Sequence, residues 1–76
     1  MTCRQLYLTA RQRLTQAGID SPGGDAALLA QHFLGLDRTG LAIHGEETPA
    51  PEQEAAFLQA VEERASRRPL QYILGQ

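Results

Sequence analysis

The chain has 76 residues, nine acidic and seven basic side chains, and a formal net charge of −2, with arginine as its only cation other than histidine. That length supports one hydrophobic core. At roughly 0.05–0.15 kcal/mol per residue, the whole fold is worth about 4–11 kcal/mol, which leaves no room for a deep private ligand cavity. A negative balance speaks against a nucleic-acid module, which is normally basic.

Thr2, followed three positions later by Gln5, has the form of a capping box, and Cys3, Leu6, Tyr7, Ala10, Leu14 and Ala17 recur at helical steps. Gly18 stands where a left-handed residue closes that first helix. Ser21-Pro22 predicts a second start, with the serine as side-chain acceptor and the helix running through Leu28, Leu29, His32 and Phe33 to Gly35. Gly23 and Gly24 each cost about 1 kcal/mol in a helix, so its first turn is expected to fray or begin late.

Asp37 predicts the cap of a short third helix over Arg38 to Ile43, with Leu41 and Ile43 toward the core. Residues 44–51 have loop composition, and a fourth helix is expected from Pro51, with Phe57, Leu58, Val61 and Ala65 as its buried stripe. Arg68 precedes Pro69 and should be extended, after which Pro69 to Gly75 reads as one or two helical turns. Together these elements predict an all-α fold, a small bundle of four to five short helices with short connections.

Candidate nucleophiles are Cys3, Ser21, His32 and His44, but none has a base beside it in a recognisable pattern. Cys3 reads as a small buried hydrophobe, and His32 as a half-buried packing residue with a wet edge. The spacing of Cys3, His32 and His44 matches no metal-ligand pair, and no phosphate loop or Gly-x-Gly-x-x-Gly occurs. No catalytic, cofactor or metal residue is therefore expected in this chain.

A lone cysteine and the absence of a signal-type opening point to the cytoplasm, and the longest apolar run, Ala26 to Ala30, is far short of a membrane span. Charge is uneven: Arg4, Arg11 and Arg13 are the only charged side chains of the first nineteen residues, while Glu46, Glu47, Glu52, Glu54, Glu62 and Glu63 gather later. Such faces either steer a partner or pair with each other. Arg64, Arg67 and Arg68 lead into a C-terminal stretch too apolar for a free tail. Leu70, Ile73 and Leu74 are expected to fold back, at least two of them, leaving Gln71 and Tyr72 outward. Arg64, Arg67, Arg68, Gln71 and Tyr72 are accordingly the candidate residues for partner binding or an interdomain junction.

The order of signals resembles the N-terminal domain of the release-factor glutamine methyltransferases of HemK/PrmC type. The pieces that carry it are Ala17-Gly18-Ile19-Asp20-Ser21-Pro22, Asp25-Ala26 with Leu28-Leu29, His32 with Leu34-Gly35-Leu36, Arg38-Thr39, Thr48-Pro49, and Pro69-Leu70-Gln71-Tyr72-Ile73-Leu74-Gly75. The sequence departs from that pattern at Gly23-Gly24, Ala27 and Arg68.

The resemblance implies that residues 1–76 are a substrate-docking domain, with 69–76 forming the junction to a following Rossmann-type domain. That domain would bind S-adenosylmethionine and use an Asn-Pro-Pro-Tyr motif to methylate the glutamine of Gly-Gly-Gln in peptide-chain release factors. The implied partners are the release factor and the chain's own catalytic half, with no nucleic acid and no membrane. The alternative is a purely structural domain that stabilises or orients the catalytic half without contacting substrate.

Overall fold

A computed structural model describes residues 1–75; of the junction segment expected over 69–76, Gln76 lies outside the described residues. The element order is α1 (Cys3–Gln16), α2 (Pro22–Leu34), α3 (Arg38–His44), α4 (Pro51–Ala65) and α5 (Leu70–Leu74), with no strand among the described residues.

The start of α1 is satisfied from two sources. Thr2 Oγ1 accepts from the Gln5 N–H at 3.1 Å while Gln5 Oε1 accepts from the Thr2 N–H at 2.8 Å, completing the capping box. The next two orphan donors go to the loop after α3: Cys3 N–H to the Glu47 carbonyl at 2.9 Å and Arg4 N–H to the Gly45 carbonyl at 2.8 Å. Gly45 is buried here, and a Cβ on it would lie 2.3 Å from the Leu41 carbonyl oxygen of α3 and 2.9 Å from Arg4 Nη2 of α1, so glycine is required where the chain leaves α3 and passes α1. At its other end α1 closes with Gly18 at φ +77°, donating to the Thr15 carbonyl at 3.0 Å, and with Ile19 donating to that of Leu14 at 3.1 Å. This is a Schellman motif, as the glycine foretold.

α2 departs from expectation in two ways. The Ser21 side chain makes no capping bond, its backbone lying at φ −125°, ψ 67°. Nor does the helix begin late: the Asp25 N–H donates to the Ser21 carbonyl at 2.9 Å, so the first turn forms through both glycines. Pro22, with φ fixed near the helical value, and Asp25 at the positive end of the dipole offset the glycine cost.

α3 extends one residue beyond the expected end. Its cap is Asp37, whose Oδ1 accepts from the Gly40 N–H at 2.7 Å. Leu41 packs against the core, but Ile43 is 69% exposed; on a helix of seven residues it lies two positions from Leu41 and so faces away. α4 begins at Pro51 as expected, with the Gln53 side chain accepting from the Ala50 N–H at 3.1 Å.

The core lies among α1, α2 and α4, each packed against the other two; α3 leans on α1, and α5 covers α4 and α2. Leu6, Leu14, Leu29, Phe57 and Val61 fill it, while Cys3, Ala10, Ala26, Ala30 and Ala60 are small residues at the crossings. Phe57 and Val61 of the expected α4 stripe are buried, Leu58 and Ala65 are only partly so, and Ala60 joins them. The radius of gyration is 11.1 Å, close to the roughly 11 Å expected for a tightly packed chain of this length. No buried polar side chain occurs among the described residues.

The charge asymmetry resolves largely within the fold. Arg4 pairs with Glu46, and Arg13 grips Glu62 through two bonds of 2.9 and 3.1 Å. The N-terminal ammonium lies 3.2 Å from Glu54. These ties join α1 to the loop after α3 and to α4, although pairs this exposed are worth at most about 1 kcal/mol each.

Candidate functional site

The C-terminal end of α4 is where the arginines predicted from the sequence come together. α4 closes with a second Schellman motif: Arg67 donates its N–H to the Arg64 carbonyl at 2.9 Å, and Arg68 donates to that of Glu63 at 3.2 Å. The residue at the left-handed position is Arg67, at φ +73°, the one non-glycine residue in that region among the described residues. Such a backbone costs an L-residue on the order of 1–2 kcal/mol. Arg67 meets this cost with its side chain, whose Nη2 donates to the Ala17 carbonyl at 3.1 Å and reaches that of Gly18 at 3.5 Å. One helix terminus thus supplies a cation to the negative end of another.

Arg64 is a half-buried hub. Its Nε donates to Asp25 Oδ2 at 2.8 Å, tying α4 to the first turn of α2, and its Nη1 donates to the Arg68 carbonyl at 3.0 Å. Arg68 stays exposed, 3.3 Å from Glu63. The chain then turns at Pro69, whose carbonyl accepts from the Tyr72 N–H at 3.0 Å, and α5 ends at Gly75 with φ +75°.

Leu70, Ile73 and Leu74 fold back onto the core, while Gln71 is exposed and Tyr72 is 67% exposed. Of the five candidate residues, then, Arg64 and Arg67 are engaged with their own chain. Arg68, which also pairs with Glu63, is exposed, as are Gln71 and Tyr72. Leu28, 47% exposed, together with Gln31, His32 and Leu74, lines an adjoining shallow cleft between α2 and α5.

The residues considered for nucleophilic or metal chemistry do not converge. Cys3 is buried, and its thiol is pushed above the ordinary value of 9.0, chiefly by burial and further by the Glu47 carboxylate, so it resists ionisation. His44 is exposed and pairs with Glu47 at 2.5 Å. His32 is exposed rather than half-buried, its ring edge-on to Phe33 with centroids 4.8 Å apart. No group of three or more His, Cys, Asp or Glu side chains is placed to hold a metal among the described residues. None of the described helices is long and apolar enough to cross a membrane.

Sequence reasoning noted Arg11 and Arg38 separately and did not bring them together as a site. They sit in different helices, and only the packing of α3 and the start of α2 against α1 sets them on one groove.

The family model described as the PrmC N-terminal domain matches residues 5–75. The chain belongs to that family. It is 45% identical over 76 residues to the release factor glutamine methyltransferase of Deinococcus radiodurans, an alignment that takes in 100% of this chain and 27% of the relative. It is 46% identical over 66 residues to the protein of that name from Mycolicibacterium smegmatis, covering 87% of this chain and 23% of that one. With the Geobacter sulfurreducens protein of the same name the figures are 38% over 74 residues, 97% and 26%. The chain therefore spans about a quarter of the length of the curated relatives it matches. No solved structure matches it. Family membership agrees with the fold described above: the matched residues take in all of α2 to α5 and most of α1.

Proposed function

We propose that this chain is the helical docking part of a release-factor glutamine methyltransferase. It grips the release factor, so that a catalytic half joined beyond α5 can methylate the side-chain amide of the Gly-Gly-Gln glutamine. The supporting observation is the build of the junction: a folded-back helix, fastened through Arg64 and Arg67 to α1 and α2, that leaves Arg68, Gln71 and Tyr72 outward. A fastened junction holds a protein substrate in register with a reaction centre and removes part of the orientational entropy from the barrier.

S-adenosylmethionine, the methyl donor that this reading implies, does not fit the residues present. The sequence has no Gly-x-Gly-x-x-Gly, and the described residues form no strand to carry one. In this proposal the cofactor belongs to the catalytic half, and the protein works in the cytoplasm, where translation takes place.

The experiment is a titration of release factor against the full-length enzyme, the enzyme lacking this domain, and this domain alone. Docking predicts a raised KM for release factor on deletion and measurable binding by the domain itself. An unchanged KM accompanied by a lowered melting temperature would assign the domain a structural role instead.

A further inference from the structure

Five of the seven arginines are accounted for within the fold. Arg4, Arg13, Arg64 and Arg68 carry ion pairs with carboxylates, and Arg67 is spent on backbone carbonyls. Arg11 and Arg38 have no such partner among the described residues, and both line one open groove of about 530 Å³ where α1 passes α3 and the first turn of α2. No carboxylate lines that groove, although Arg4 also borders it, matched by Glu46. The carboxylate adjacent to Arg38 in sequence, Asp37, is engaged in capping α3.

The remaining walls are apolar. Leu8 is 51% exposed, and Tyr7 and Leu41 are half-buried beside it. Gly23 borders the groove, and a Cβ there would make ordinary contact, 3.8 Å from both Arg11 Nε and the Tyr7 hydroxyl, so a side chain at this position can be accommodated and would extend over the two groups. Two uncompensated guanidinium groups flanking an exposed leucine, on a chain of net charge −2, contribute nothing to folding that the structure displays. Their chemistry is that of a receptor, since the planar fork of arginine takes a carboxylate through two parallel bonds.

We propose that this groove receives a short acidic peptide segment carrying an apolar side chain, presented by the protein substrate; the proposal rests on the docking role above. Carboxylates meet Arg11 and Arg38, and the apolar side chain lies against Tyr7, Leu8 and Leu41. A nucleic acid fits the groove less well, because tracking a phosphate backbone takes several cations and here two are free in an acidic chain.

The test uses the full-length enzyme in three forms: unaltered, Arg11→Glu with Arg38→Glu, and Gly23→Glu. The third places a carboxylate in the first turn of α2, where the helix dipole favours it and glycine is a poor helix former, so the fold is kept while the groove is filled and Arg11 is neutralised. At about 50 mM salt both variants should bind release factor at least about tenfold more weakly than the unaltered enzyme, with the difference shrinking at about 500 mM. A fluorescein-labelled peptide of alternating glutamate and leucine should bind the unaltered enzyme and neither variant.

Release-factor affinity unchanged in both variants, while deletion of the whole domain still weakens it, would overturn the groove and leave docking intact. Deletion without effect on affinity would remove the docking role and this proposal together. An RNA oligonucleotide that displaces the labelled peptide at equal concentration would overturn the assignment to an acidic peptide.

Discussion

Arg67 offers a direct test of how the turn after α4 is held, because its backbone and its side chain act in opposite directions. The left-handed conformation at φ +73° costs a non-glycine residue on the order of 1–2 kcal/mol. The bond from its guanidinium to the Ala17 carbonyl, at 3.1 Å and exposed, returns about 0.5–1.5 kcal/mol. Arg67→Ala keeps the strain and loses the bond, so it should destabilise by about 1 kcal/mol. Arg67→Gly loses the same bond but relieves the backbone, so it should fall close to the unaltered chain. The two variants should therefore differ by about 1 kcal/mol, with glycine the more stable. Urea unfolding followed by circular dichroism at 222 nm resolves this, since a slope of about 1 kcal/mol/M turns the gap into a midpoint difference of about 1 M. Coincident midpoints, or alanine above glycine, would refute the left-handed turn at this position.

Gly45→Ala should destabilise by about 1–3 kcal/mol, because its Cβ would stand 2.3 Å from a backbone oxygen that cannot swing aside; a midpoint shift below about 0.5 M in the same urea assay would contradict the close approach. Phe57→Ala removes the largest fully buried side chain and should cost about 3–5 kcal/mol, enough to unfold much of the population at room temperature, whereas a loss under about 1 kcal/mol would mean the wrong face of α4 is buried. A double-mutant cycle of Asp25→Ala and Arg64→Met should return a coupling of about 1–2 kcal/mol for this largely buried pair, and zero coupling would show that α2 and α4 are held by packing alone. Burial raises the folded thiol of Cys3 above its unfolded value of 9.0, so the unfolded chain loses that proton first. Stability is accordingly complete below that pH and declines as pH rises above it. The decline in urea midpoint between about pH 8 and about pH 10 should be steeper for the unaltered chain than for Cys3→Ala, and equal declines would refute a buried thiol.

What was legible in the sequence was local. Thr2 with Gln5, Gly18, Gly35, Asp37 and Pro51 act through their own backbone or a neighbour three positions away, and each marks the boundary it was expected to mark. Ser21 misled because a capping serine typically has extended backbone, and here its backbone lies at φ −125°, ψ 67°. Ile43 misled because a helix of seven residues presents one narrow face, which Leu41 already occupies. Ala26, Ala30 and Ala60 carry little hydrophobic signal, yet they are buried because close helix approach needs small side chains.

The candidate residues at the junction were legible as an apolar segment after a basic turn. Which arginines stay outward was not, since the bonds of Arg64 to Asp25 and of Arg67 to Ala17 join positions far apart in sequence. The groove with Arg11 and Arg38 has the same origin.

The grasp of Arg67 on the end of α1 has a mechanical corollary. Any polypeptide attached beyond α5 would hang from a turn that is anchored crosswise, through a guanidinium, to the C-terminal end of α1. A tug on such a continuation would load the last coil of α1 as well as α4, so the swivelling of an attached body would be resisted by the first helix and not only by the hinge peptide.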